Sequence, residues 1–147
     1  MSKKSSRAAA NAGLPRIGLA LAVGLALFLV IRSSILDLAV ASGRSMLPGV
    51  HDGNIILIFK AAYGLRTPGG SYLILWARPR NRDIVAALKP GEGTLLIKRV
   101  SGEKDSPGLR DPVFLLGDNI YESVDSREYG AVPMNNVLGR AFAISSP

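Results

Sequence analysis

A serine in the stretch "ASGRSMLPGV" (residues 41–50) follows the most apolar run of the chain and is either an ordinary loop hydroxyl or a nucleophile. A serine nucleophile needs a partner to take its proton. The usual one is scarce, because the chain holds one histidine, His51, and no cysteine. His51 stands beside Asp52 and Gly53 in a predicted turn and reads as a solvated or capping residue. The remaining candidate base is lysine. Its ammonium must first lose a proton, so its pKa must fall from about 10.4 toward neutrality. Burial among apolar groups has that effect, because desolvation penalises the charged form.

Lys3 and Lys4 belong to a polar tail, Lys60 ends an apolar run, Lys89 precedes Pro90 and Gly91, and Lys104 lies in a polar loop. Lys98 alone sits inside an apolar strand pattern, "LLIKRV", with Leu96 and Val100 on its face and Ile97 and Arg99 on the other. The pattern fits a buried general base. It also fits a sheet-edge lysine that blocks further pairing, and the strand by itself favours that second reading. A third polar segment, "GDNIYESVDSREYGAVP" (117–133), gathers Asp118, Asn119, Ser123, Asp125, Ser126 and Arg127. Asp125 and Arg127 can pair, and the small polar side chains can bond the backbone of a tight turn.

The frame for these residues is predicted to be mainly β. "NIILIFK" (54–60), "SYLILWA" (71–77), "DIVAAL" (83–88), "TLLIKRV" (94–100), "PVFLLG" (112–117) and "VLGRAFAI" (137–144) are short apolar runs rich in strand formers. Glycine- and proline-rich turns separate them, and no long amphipathic helix pattern follows residue 40. Ahead of them, "IGLALAVGLALFLVI" (17–31) carries no charge and is apolar all round. With its flanks it reaches about 20 residues, enough to span a bilayer, and Arg16 and Arg32 can snorkel to the headgroups. The expected organisation is a basic tail over 1–16, a transmembrane anchor over 17–36 and an extracytoplasmic β-rich domain over 37–147. A cleavable leader is the rival reading, since Ala39-Val40-Ala41 resembles a processing site. The long stretch carrying Arg32 and Asp37 before it argues for the anchor.

The formal net charge is +7. Four basic residues precede the apolar run, while the chain after Arg32 has 13 basic and 11 acidic residues. The excess is topology information that predicts the N-terminus inside, and no nucleic-acid partner is expected. The absence of cysteine excludes disulfides, zinc–thiolate sites and thiol catalysis. With one histidine, no metal and no cofactor is expected.

"SGRSMLPGV", "IKRVSG" and "GDNIYESVDSREYGAVP", in this order behind an apolar segment, resemble the boxes of type I signal peptidases, membrane-anchored Ser/Lys proteases that remove signal peptides from exported proteins. "FKAAYG" (59–64) and "RNRDIVAAL" (80–88) add to the likeness. The resemblance implies a small coiled antiparallel β-sheet, barrel-like, behind a single membrane helix in the cell membrane. It implies Ser45 as nucleophile, Lys98 as general base and Ser123 as the hydroxyl that orients the amine. It implies Asp125 and Arg127 as a structural ion pair, and Gly43, Asp118 and Ser126 as structural residues near the site. Met46, Pro48, Ile56, Leu96 and Ile97 are the implied substrate-pocket residues, and the implied partners are exported pre-proteins and the lipid bilayer. Departures from the pattern are Gly43 where some members carry a second oxyanion donor, Gly49 in place of threonine, Arg82 in place of glycine, and an altered, short 102–112 segment. A dedicated maturation peptidase for a pilin-like precursor, a self-cleaving repressor and an inactive membrane-bound β module are the alternatives. The membrane run and the missing DNA-binding helices disfavour the repressor.

Overall fold

The computed structural model describes residues 14–67, 69–102 and 108–144, with the side chains of 14–16 and 29–34 outside that set. The chain divides into two units, at Ser33 and Ser34. The first holds most of helix α1, Leu14–Ile35. Leucine and alanine favour the helix, and its described apolar side chains, Ile17, Leu19, Leu21, Val23, Leu25, Leu27 and Phe28, are all exposed. Among the described residues no helix is long and apolar enough to cross a membrane. The anticipated span extends past the side chains described, as do the basic tail and the flanking Arg16 and Arg32.

The second unit is mainly antiparallel β, as anticipated. Strands β1 (Leu36–Val40), β2 (Ile55–Phe59), β5 (Ile84–Leu88), β6 (Leu95–Val100), β7 (Leu115–Leu116) and β8 (Val137–Ile144) form one sheet in the order β1-β2-β8-β5-β6-β7. A separate hairpin pairs β3 (Gly64–Arg66) with β4 (Tyr72–Leu75). A short helix, α2 (Ser126–Tyr129), follows β7. Leu36, assigned to the anchor from sequence, opens β1 instead. The strand expected over 112–117 shrinks to two residues and one isolated bridge, Val113 to Val132. Pro112 at its start has no N–H to contribute to a ladder.

Strand β5 explains the layering. Val85, Ala86 and Ala87 are all fully buried, so β5 is covered on both faces. Val85 and Ala87 join Val100, Leu115, Val132 and Val137 in one core. Ala86 joins Met46, Val50, Ile56, Ile58 and Ala141 in the other. The end of the sheet farthest from β5 is different. Registers Leu36 to Phe59, Val40 to Ile55, Ile55 to Ile144 and Leu57 to Phe142 align one face of β1, β2 and β8. On it Leu36, Leu38, Val40, Ile55, Phe59, Phe142 and Ile144 are each 37–68% exposed.

Among the described residues Arg82 is the one non-glycine residue in the left-handed region, with φ +75°. Its N–H donates to the Val100 carbonyl and its own carbonyl accepts from Arg99 Nη1. Those bonds hold an arginine where the family pattern has glycine, at a cost set by its Cβ. Arg82→Gly is expected to raise the unfolding free energy measured in urea by about 0.5–1 kcal/mol; a lower value would show that the arginine side chain stabilises the turn.

Candidate active site

Lys98 projects from β6 on the same face as its cross-strand neighbour Val85 and as Val100. Its side chain is buried, 3% exposed, which rules out the solvent-facing edge lysine. Burial pushes its amine below the usual 10.5, Asp125 opposes the shift, Arg127 adds to it, and Asp118 opposes it more weakly. The amine lies 2.9 Å from Ser123 Oγ.

The state of that contact follows from Asp125. Its carboxylate is fully buried and caps α2 by accepting the Arg127 N–H. Oδ2 accepts from Ser123 Oγ at 2.8 Å, from the Gly117 N–H at 2.9 Å and from Arg127 Nη2 at 2.7 Å, while Oδ1 accepts from Arg127 Nε at 2.8 Å. Burial alone raises this carboxyl's pKa, but Arg127 and the Gly117 and Ser123 donors outweigh it and hold the group far below the usual carboxylate range. An ionised carboxylate only accepts, so Ser123 spends its one proton on Asp125. Ser123 must then accept from Lys98, and the lone pair of a neutral Lys98 amine is left for another hydrogen.

Ser45 lies in a loop pinned by buried Met46 and Val50, with the Val50 N–H on the Met46 carbonyl. Asn119 fastens this loop to the polar segment. Its N–H donates to the Ser45 carbonyl at 2.9 Å and its Nδ2 to the Arg44 carbonyl at 3.1 Å. Gly43, at φ +91°, gives its N–H to Asp52 Oδ1 at 2.7 Å. Gly117 allows the close packing of the two segments: a Cβ there would overlap Ser123 Oγ and come within 2.6 Å of the Ser45 carbonyl.

Ser45 and Lys98 line one cavity of about 220 Å³, walled by residues 39–43 and Met46 on one side and by 95–98 on the other. Met46, Leu96 and Ile97 are in its wall. Pro48 is exposed and Ile56 is buried in the core, and neither lines the cavity. Ala39, Ala41 and Val50 line it and escaped the sequence reading, where "AVA" was weighed only as a processing site. A larger cavity of about 600 Å³ beside Val100, Ser101 and Phe114 includes none of Ser45, Lys98 and Ser123. His51 is exposed, with its N–H on Asn54 Oδ1. Asp118, read only as structural, pairs with Arg99 through two contacts of 2.7 and 2.6 Å. A Cβ at Gly49 would stand 3.1 Å from Asp118 Oδ2, so this pair leaves little room for the threonine of the family pattern. Ser126 Oγ accepts the Leu115 N–H. Among the described residues no group of three or more His, Cys, Asp or Glu side chains can hold a metal ion.

A family model described as "Signal peptidase, peptidase S26" matches residues 14–104 and 109–145. The chain belongs to this family. Among relatives of this S26 peptidase, the mitochondrial inner membrane protease subunit 1 of Schizosaccharomyces pombe is 28% identical over 138 residues, covering 90% of this chain and 87% of the relative. The signal peptidase I of Bacillus caldolyticus is 25% identical over 135 residues, covering 69% and 74%.

Asp125 has a folded pKa below its unfolded one, so its stabilisation is present above the ordinary carboxylate pKa and is lost as pH falls below it. Asp125→Asn is therefore expected to lower stability by about 2 kcal/mol at pH 7. Its deficit against the native chain should shrink in chemical denaturation series carried from pH 5 toward pH 2. A pH-independent deficit would mean that packing, not charge, is what the substitution removes.

Proposed function

We propose that this S26 peptidase is a membrane-anchored serine endopeptidase that cuts signal peptides from exported precursors after Ala-x-Ala-type sites. Ser45 is the nucleophile, Lys98 the general base and Ser123 the hydroxyl that orients it. The observation that carries the reading is a buried lysine amine, 2.9 Å from a serine whose proton is committed elsewhere, on the wall of the cavity that Ser45 also lines.

Neutral Lys98 takes the Ser45 proton as Oγ attacks the scissile carbonyl. The Ser45 backbone N–H makes no hydrogen bond among the described residues and is the oxyanion donor. Gly43 has no hydroxyl to add a second, and its N–H is engaged with Asp52. The Lys98 ammonium then protonates the leaving amine, leaving an acyl group on Ser45. A water gives its proton to Lys98 and hydrolyses that ester, which restores both side chains.

Sheet topology supports an extended substrate. Among the described residues β1 pairs only with β2, and residues 95–98 of β6 pair only with β5. Both open edges border the cavity, so a precursor strand can pair with either wall. The cavity is narrow, and small side chains such as alanine suit it. Three observations support the membrane assignment. The α1 side chains over 17–28 are apolar and exposed, the basic residues precede them, and a contiguous apolar face lies on β1, β2 and β8. A patch of that kind marks an interaction surface. In this reading residues 1–16 are cytoplasmic, the anchor lies within 17–36 and the remainder is the extracytoplasmic peptidase domain.

In detergent, with an Ala-x-Ala precursor peptide, Ser45→Ala and Lys98→Ala are each expected to lose at least about 10⁴-fold in kcat/KM, whereas Lys89→Ala keeps native activity. Full activity in Lys98→Ala would end the dyad assignment. The pH profile provides a second check. The folded Lys98 pKa lies below 10.5, so kcat/KM should climb with pH through that lowered value and then level off. Its contribution to stability has the same sign: a protonated buried lysine disfavours the fold, and the penalty lifts between the folded and unfolded pKa values. A profile without an acidic limb would contradict a lysine base.

A further inference from the structure

The segment that positions Ser123 also carries apolar side chains with no role in that task. Glu122 donates its N–H to the Asn119 carbonyl, closing a turn over 119–122 with Ile120 and Tyr121 at its apex. The turn is firmly held. Asn119 bonds the carbonyls of Ser45 and Arg44, Glu122 pairs with Arg44 at 3.4 Å, and the Ile120 carbonyl accepts from Arg127 Nη2. Yet Ile120 is 65% and Tyr121 98% exposed, and Val124 just beyond is 50% exposed. An otherwise polar segment, bonded to the Ser45 loop, thus presents apolar surface to solvent.

The position of the turn identifies what reaches it. The lining segment runs from Ala39 to Gly43 and on to Ser45, and the turn is bonded to Arg44 and Ser45, at that end of the cavity. None of residues 119–124 lines the cavity itself. The proteolytic reading gives the cavity to the acyl side of the scissile bond, which leaves the turn, bonded to Ser45 but outside the cavity, to the leaving side. Extended chain advances about 3.3 Å per residue, so the first two or three residues of the leaving segment fall within reach of a tyrosine side chain two positions from Ser123.

We propose that Ile120 and Tyr121 form an apolar contact for the precursor residues immediately after the scissile bond, so that the enzyme selects precursors whose mature chain begins with apolar or aromatic side chains. This inference rests on the proteolytic reading above. The test uses peptides identical up to the scissile bond that carry either Leu-Phe-Leu or Ser-Gly-Ser after it, with the full chain in detergent. The native enzyme is expected to prefer the apolar series by about tenfold in kcat/KM, the effect of partly covering one apolar side chain. Ile120→Ser with Tyr121→Ser should bring the ratio near unity, and Ile120→Val with Tyr121→Phe should retain it. A native ratio near unity would overturn the proposal. So would a Ser/Ser variant that loses activity on both series equally, because the turn would then be structural. So would a variant that keeps the ratio but loses binding to phosphatidylglycerol vesicles, which would make the turn a lipid contact. If instead neither series is cut, or Ser45→Ala cuts as well as the native chain, the proteolytic reading itself has failed.

Discussion

A buried amine and a buried carboxylate that share one serine hydroxyl impose the central constraint on this molecule. Left to itself, Asp125 would hold the Lys98 amine in its charged form, because an anion nearby stabilises a cation. Burial of the amine outweighs that pull, and Arg127 adds to the effect of burial. That arginine grips both carboxylate oxygens and lowers the Lys98 pKa through its own charge. The carboxylate is thereby free to act as a fixed acceptor that sets the direction of the Ser123 proton. The ion pair is therefore more than a brace, since its arginine partly offsets the effect of the anion on the lysine.

The constraint extends outward through the backbone. Asp125 begins α2, and its Oδ2 takes the N–H of Gly117 just after β7, so helix, strand end and orienting serine are one unit. Asn119 ties that unit to the loop of Ser45 and Arg44. Arg99, one residue past the lysine on β6, ties Asp118 to the sheet and reaches the Arg82 carbonyl. Three segments far apart in sequence are thus joined by polar bonds at their junctions and by two apolar cores beneath them.

The sequence made much of this legible for physical reasons. The β5, β6 and β8 runs are rich in apolar strand formers, so their strands were found nearly to the residue, and Lys98 stood out as the one lysine inside such a run. β1 was hidden because "LDLAV" continues the apolar character of the helix before it, and β3 because three residues carry too little pattern. Pairing across distance was harder. Asp125 and Arg127 are close in sequence and were paired on sight, whereas Arg99 and Asp118 meet only through the fold. Ile56 was assigned to a pocket because its run is apolar, yet the pleat turns it into the core, and an apolar run alone does not reveal which face a residue takes. Ala39 and Ala41 were missed for the opposite reason, since small side chains attract no notice until the space they leave open is seen.

The open strand edges on either side of the cavity have one more implication. Main-chain pairing reads the amide groups that every polypeptide shares, so in the proposed reading the open edges supply grip and the cavity wall supplies the choice of residue. Folded proteins escape because their amides are already matched within their own sheets and helices. In that reading vulnerability depends on timing as well as on composition, and falls in the interval when a chain has emerged but has not yet closed on itself.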